Sequence, residues 1–119
     1  MSASFILYGI KACDTMKKAR AWLDERGISY CFHDYKKDGI SEDKLKDWSG
    51  QVDWKVLLNK AGTTFRKLSP EQKDGLTEER AIALMQAQPS MIKRPVLERD
   101  GKVLQVGFRP AEYEEIFPA

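Results

Sequence analysis

The chain is poor in the residues that build metal centres and disulfide scaffolds: its 119 residues include one histidine and two cysteines. Cys13 and Cys31 fit neither a disulfide framework nor a four-ligand zinc pattern, and with His33 as the single imidazole no structural metal site is expected. No apolar run approaches the roughly 20 residues needed to span a bilayer, and Met1-Ser2-Ala3-Ser4 does not lead a basic region into a long apolar segment. A cytoplasmic protein with no membrane partner is the expectation. Charge of one sign is also lacking, since 20 basic residues against 18 acidic ones leave a formal net charge of +2. Direct binding to nucleic acid is therefore not demanded. Gly-rich phosphate loops, paired carboxylates and Ser-His arrangements are absent as well, and with them the usual nucleotide-binding and hydrolytic chemistries.

What is present suffices for one ordinary core: 42% of the residues are hydrophobic and 32% charged, in a chain too short for two domains of usual size. The expectation is a single domain over 1–119. Ser4 to Tyr8 reads as a strand buried on both faces, ended by Gly9. After the turn Ile10-Lys11-Ala12-Cys13, Asp14 and Thr15 offer N-cap chemistry. Met16, Ala19, Trp22 and Leu23 then recur at helical spacing before Gly27 supplies a C-cap. A second strand, Ser29 to Tyr35, puts Tyr30 and Phe32 on one face and Cys31 and His33 on the other. The β-α-β rule makes the two strands parallel.

Residues 41–92 read as a mostly helical insert between the core segments 1–40 and 93–119. Ser41 caps a helix carrying Leu45 and Trp48, and Trp54, Val56, Leu57 and Leu58 form an apolar cluster. Ser69-Pro70-Glu71 starts another helix, and Thr77-Glu78-Glu79 a further one that Pro89 stops. Val96-Leu97, Asp100-Gly101 and Val103 to Val106 predict an antiparallel hairpin, and Arg109-Pro110 opens a last helix with Tyr113, Ile116 and Phe117 inward. The class is α/β, in the order β-α-β, helical insert, β-β-α. Lys36-Lys37-Asp38-Gly39 is expected as a solvated turn, His33 as a strand residue facing a polar surface, and Trp22, Trp48 and Trp54 as packing residues.

Cys13 carries the chemistry in this reading. A helix N-terminus holds about half a positive charge on its unpaired amides, which favours thiolate, the nucleophilic form of a sulfur placed there. Lys11, Lys17 and Lys18 add positive potential, and Asp14 subtracts from it unless its carboxylate is spent on capping. The plainer alternative is a small turn residue.

Three segments carry a resemblance: Tyr8-Gly9-Ile10-Lys11-Ala12-Cys13-Asp14-Thr15-Met16-Lys17-Lys18-Ala19, Ile92-Lys93-Arg94-Pro95-Val96-Leu97, and Val106-Gly107-Phe108-Arg109-Pro110-Ala111-Glu112. In this order they resemble the arsenate reductase (ArsC) family, which includes the Spx regulators, and most closely its YffB-type branch. The resemblance implies a thioredoxin-like fold with a mixed four-stranded sheet, Cys13 as redox nucleophile, Arg94 and Arg109 near it, and a cis peptide before Pro95. Guanidinium groups suit that task because they stay charged and bind carboxylates or oxyanions bidentately. For each arginine, a surface ion pair is the plainer alternative. Lys11, Thr15, Lys17, Asn59, Arg66 and Pro95 complete the candidate set for substrate or glutathione.

Departures from the family pattern narrow the chemistry. Asn59 stands where arsenate reductases place a third arginine, and Asp14 where they place a glycine; both count against arsenate as the substrate. Arg66 either reaches the site from another direction or is a surface residue. The Spx regulators carry Cys-x-x-Cys, whereas Cys13 is followed three residues later by Met16. Cys31 is then either a resolving thiol or a core residue. Without an internal resolving thiol, an external one must clear Cys13, and in a cytosol the abundant choice is glutathione as co-substrate, with glutaredoxin as a further candidate partner and no bound cofactor. Three functions follow: a glutathione-linked thiol oxidoreductase, a regulator that docks on RNA polymerase without a redox switch, and an arsenate reductase.

Overall fold

The computed structural model describes residues 5–117. In chain order the elements are β1 (Phe5–Gly9), α1 (Asp14–Glu25), β2 (Cys31–Asp34), α2 (Tyr35–Asp38), α3 (Glu42–Gln51), α4 (Trp54–Leu57), α5 (Thr63–Arg66), α6 (Pro70–Lys73), α7 (Glu78–Ala87), β3 (Val96–Arg99), β4 (Lys102–Val106) and α8 (Pro110–Ile116). They form two compact units, one from the chain up to Tyr35 and from Arg94 onward, the other from Lys36–Lys93.

The first unit is a mixed four-stranded sheet in the order β2-β1-β3-β4. β1 pairs with β2 in parallel and with β3 antiparallel, and β3 pairs antiparallel with β4. The β3–β4 turn is the predicted Asp100-Gly101 pair, with φ of +49° and +85°. Positive φ at both central residues is what a two-residue hairpin turn needs to follow the twist of its strands. One face of the sheet is covered by an apolar cluster of Leu7, Met16, Ala19, Trp22, Leu23, Leu97 and Tyr113. Trp22 and Phe108 both meet the Tyr113 ring edge-on, at centroid distances of 5.5 and 4.8 Å. The predicted spacing of apolar residues along α1 thus becomes its buried stripe.

The second unit is built of short helices whose starts were legible. Ser41 Oγ accepts from Lys44 N–H, Thr77 Oγ1 from Arg80 N–H, and Ser69 and Gln72 close a reciprocal capping box. Each such cap contributes about 1 kcal/mol. Leu45, Trp48, Leu57, Ile82, Met85 and Ile92 are fully or nearly fully buried. Leu58 leaves the helical conformation at ψ 123° and bridges Ile92 as a single antiparallel pair.

Several expectations are corrected. Ser4, assigned to the first strand, lies outside the described residues. The second strand runs only over Cys31–Asp34, because its ladder ends where its partner β1 ends, at the Gly9–Asp34 pair. Tyr35 instead opens α2, so Lys36-Lys37-Asp38 is a helical turn. The cap of α1 is Cys13 itself rather than Asp14 or Thr15: its N–H donates to Ile10 O at 3.1 Å, and its C=O accepts the first helical bond from Lys17 N–H at 3.0 Å. Val56, placed in an apolar cluster by sequence, is 44% exposed, because α4 is a single turn and Leu57 takes its inward position. Cys31 is exposed on the edge strand instead of packing in the core, and both cysteines are free thiols.

Gly9 ends β1 directly beneath Met16. A Cβ at this position would overlap the Met16 thioether, and Met16 is fully buried. Gly9→Ala is expected to cost about 1–3 kcal/mol by overpacking, measured by urea unfolding. Unchanged stability would contradict this account of the β1–α1 junction.

Candidate active site

The site begins with register. Antiparallel pairing of β1 and β3 joins Tyr8 to Val96 and Phe5 to Arg99. Continued past the strand ends, the same register sets Arg94 level with Ile10, at the start of the turn that carries Cys13. The Arg94–Pro95 peptide is cis, Pro95 is buried, and its carbonyl accepts from Gly107 N–H at 2.8 Å. The chain therefore delivers the Arg94 guanidinium to the sulfur.

Cys13 is partly exposed and occupies the N-cap of α1 with extended backbone, φ −75° and ψ 132°. Partial burial alone would push its thiol up. Against this act the Met16 N–H, the Arg94 guanidinium through both a hydrogen bond and its charge, and the Thr15 N–H. Together they outweigh burial, and Cys13 titrates below its ordinary value. The arrangement presents an accessible thiolate that can attack an electrophilic sulfur or other soft centre. Among the described residues no cluster of side chains suited to a metal ion is found. Nor is any helix long and apolar enough to cross a membrane.

Residues 8–116 match the sequence profile of the ArsC family. The chain belongs to the ArsC family. A solved protein named YffB is 58% identical, covers 93% of this chain and 96% of its own, and superposes with a TM-score of 0.89. An arsenate reductase (ArsC) related protein from Brucella melitensis is 55% identical, covers 100% and 98%, and superposes at 0.80. A global transcriptional regulator, Spx, of Listeria innocua is 30% identical over 94% of this chain and 86% of its own. The fold of this ArsC-family chain is the thioredoxin-like α/β arrangement of these neighbours.

The candidate residues separate into those the structure brings to the sulfur and those it does not. Arg94 and the backbone of Thr15 act on it, and Pro95 anchors the strand beside it. Lys11 and Lys17 are exposed and are not among the groups that shift the thiol, nor is Asp14. Arg109 is the exposed N-cap residue of α8 and is likewise not among them. Asn59 and Arg66 belong to the helical unit. There the Asn59 carboxamide oxygen accepts from Ala61 N–H at 3.2 Å, closing a local turn, and the exposed Arg66 gives its carbonyl to Lys73 Nζ at 2.9 Å. Cys31 stands opposite Ile6, three ladder positions from the Gly9–Asp34 end of the sheet. At about 3.3 Å per residue that is roughly 10 Å along the strand, and Cys13 and Cys31 are both free thiols.

Sequence reasoning missed the polar face behind the site. Tyr8, Tyr35 and Glu98 are 5%, 2% and 2% exposed, and Tyr8 Oη donates to Glu98 Oε1 at 3.1 Å. His33, expected to face a polar surface, packs its ring against Tyr8 and Tyr35 at 4.8 and 6.0 Å between centroids. The signal was a glutamate at an inward position of an otherwise apolar strand.

Arg94→Gln is expected to raise the Cys13 pKa, read from the pH dependence of iodoacetamide alkylation in a Cys31→Ser background. A lowered folded-state pKa also has a stability consequence. The thiolate's contribution is fully present above the unfolded-state value and is lost as pH falls through the folded one. The stability difference between the wild type and Cys13→Ser should therefore grow in favour of the wild type as pH rises across that window. A difference that stays flat in denaturant titrations would exclude a folded-state shift.

Proposed function

We propose that this ArsC-family chain is a glutathione-dependent thiol oxidoreductase in which Cys13 alternates between thiolate and mixed disulfide. The observation that carries the reading is the Cys13 sulfur at the α1 N-cap with Arg94 against it, while the other thiol, Cys31, is free and exposed on the edge strand. The position three residues on, where a resolving cysteine would stand, is filled by the fully buried Met16.

In the proposed cycle, the Cys13 thiolate attacks the glutathione sulfur of a substrate–glutathione disulfide. The substrate sulfur–sulfur bond breaks, and the substrate thiolate leaves and takes a proton from water. A disulfide now joins Cys13 to glutathione. A second glutathione, as thiolate, attacks the sulfur of the bound one, releasing oxidised glutathione and restoring the Cys13 thiolate. The net change is a disulfide exchange: one glutathione thiol is consumed, the substrate sulfur leaves as a thiol, and the glutathione it carried departs in oxidised glutathione, while Arg94 supports the Cys13 sulfur anion at both its departure and its return. The pool that drives this is cytosolic glutathione.

A second reading is favoured by the similarity to Spx: a regulator that docks on RNA polymerase without an internal disulfide switch. Arsenate reduction is the weaker reading, because Asn59 and Asp14 replace an arginine and a glycine of the arsenate reductase pattern.

Exposure to oxidised glutathione at a pH below the ordinary thiol range should add one glutathione to Cys13 while Cys31 stays reduced, seen by intact and peptide mass spectrometry. Cys13→Ser should abolish the adduct. Modification of Cys31 alone, or none at all, would sink the oxidoreductase reading, and stoichiometric capture of purified RNA polymerase would favour the regulator.

A further inference from the structure

Arg20 has no role in the chemistry above, yet the fold holds it from two sides. Its Nε donates to Tyr30 Oη at 3.3 Å, and its guanidinium carbon lies 4.7 Å from the centre of the Phe32 ring. Both contacts come from the segment that leads into and forms β2, so the guanidinium is drawn off α1 toward that strand. Four N–H groups on its two Nη atoms are left over. Among the described residues no carboxylate is ion-paired with them. Asp24, four residues on along α1, is at the spacing of an ordinary helical partner, but it is exposed and among the described residues forms no ion pair.

The two charges line one open groove of about 550 Å³, bounded by α1, by the turn 27–29 and by Tyr30 and Phe32. Its end is firm. Gly27 N–H donates to Asp24 O at 3.1 Å and Ile28 N–H to Leu23 O at 3.0 Å, which closes α1 with Gly27 at φ +65°. The groove lies wholly within the first unit, and Arg20 stands seven residues beyond Cys13, about 10 Å along the helix. It is therefore separate from the thiol site. Beside it runs β2, the outermost strand, which pairs with β1 on one side only. Edge strands accept extended peptides: main-chain bonds supply affinity, and the side chains beside the edge supply selectivity.

We propose that this groove docks an extended segment of a partner protein that carries an acidic and a basic residue two positions apart. The acid takes the Arg20 Nη atoms as a bidentate carboxylate, and the base meets Asp24. Four helical residues advance about 6 Å and two extended residues about 6.6 Å, so one segment serves both charges. Asp24 beside the arginine disfavours a phosphate or any ligand of several negative charges. Because Tyr30 and Phe32 already fix the guanidinium, little of the cost of ordering it falls on binding.

The probe is a blocked heptapeptide, Thr-Val-Glu-Thr-Lys-Val-Thr, titrated into the isotope-labelled full chain and followed by amide chemical shifts. Saturable shifts are expected at residues 20, 24 and 29–32, and the peptide with Gln for Glu should bind at least about tenfold more weakly. Arg20→Lys keeps the charge but loses the fork and its hold on Tyr30, and should weaken binding by a similar factor. Asp24→Asn should weaken the Glu/Lys peptide and leave its Lys→Thr form unchanged. If Arg20→Lys does not fold, Tyr30→Phe, which removes only the hydroxyl, must weaken binding instead. Equal binding of the Glu and Gln peptides, full binding by Arg20→Lys, or no shifts up to about 10 mM peptide overturns the proposal. Sodium acetate binding as tightly as the peptide would show an adventitious ion only. Shifts at the same amides that grow with protein concentration alone would give the groove to a second copy of this chain; either result also overturns it.

Discussion

The approach of Arg94 to the Cys13 sulfur is the contact on which the site depends, and it is a consequence of strand pairing. Tyr8 and Val96 are partners in the β1–β3 ladder. Two chain segments separated by the whole helical unit are thereby aligned so that the residues just outside the paired strands meet. A guanidinium at that point outweighs the cost of partly burying a sulfur anion, which the two amides of the first helical turn also support. Without the register, the amides alone would face the desolvation.

Around this contact the junction between β1 and α1 is closely packed. Cys13 caps the helix through its backbone, and Met16, one turn further on, is buried against Gly9. The position that holds a second thiol in a Cys-x-x-Cys pair is here part of the core. The other cysteine, on the exposed edge strand, stands away from the end of the sheet that carries Cys13. In the proposed cycle the electrons come from a separate thiol, which is the physical content of the glutathione reading.

The opposite face of the same sheet carries a buried carboxylate and two buried tyrosines in place of an apolar layer. Such groups cost stability unless they are satisfied, so their presence one strand from the reactive sulfur is informative. Tyr8 Oη donates to Glu98 Oε1 at 3.1 Å, and the Tyr8, Tyr35 and His33 rings pack together on this face.

Element types and their order were readable from local pattern: the apolar stripe of α1, the serine and threonine caps of the helical unit, the Asp-Gly turn, and Cys13 at a strand-to-helix junction. Each rests on residues a few positions apart, where spacing and capping chemistry act directly. The cap of α1 was misassigned by one residue, because a turn bond from Cys13 N–H to Ile10 O decided it rather than side-chain preference. The sequence by itself determined that a cysteine would stand at a helix start with arginines elsewhere in the chain. Only the tertiary structure decided that Arg94 acts on the sulfur while Arg109 stays at an exposed helix cap, that Cys31 faces solvent, and that Glu98 is buried with Tyr8. Those outcomes depend on pairing between strands far apart in sequence, where a single register selects which side chains share a face, and no local window carries that information.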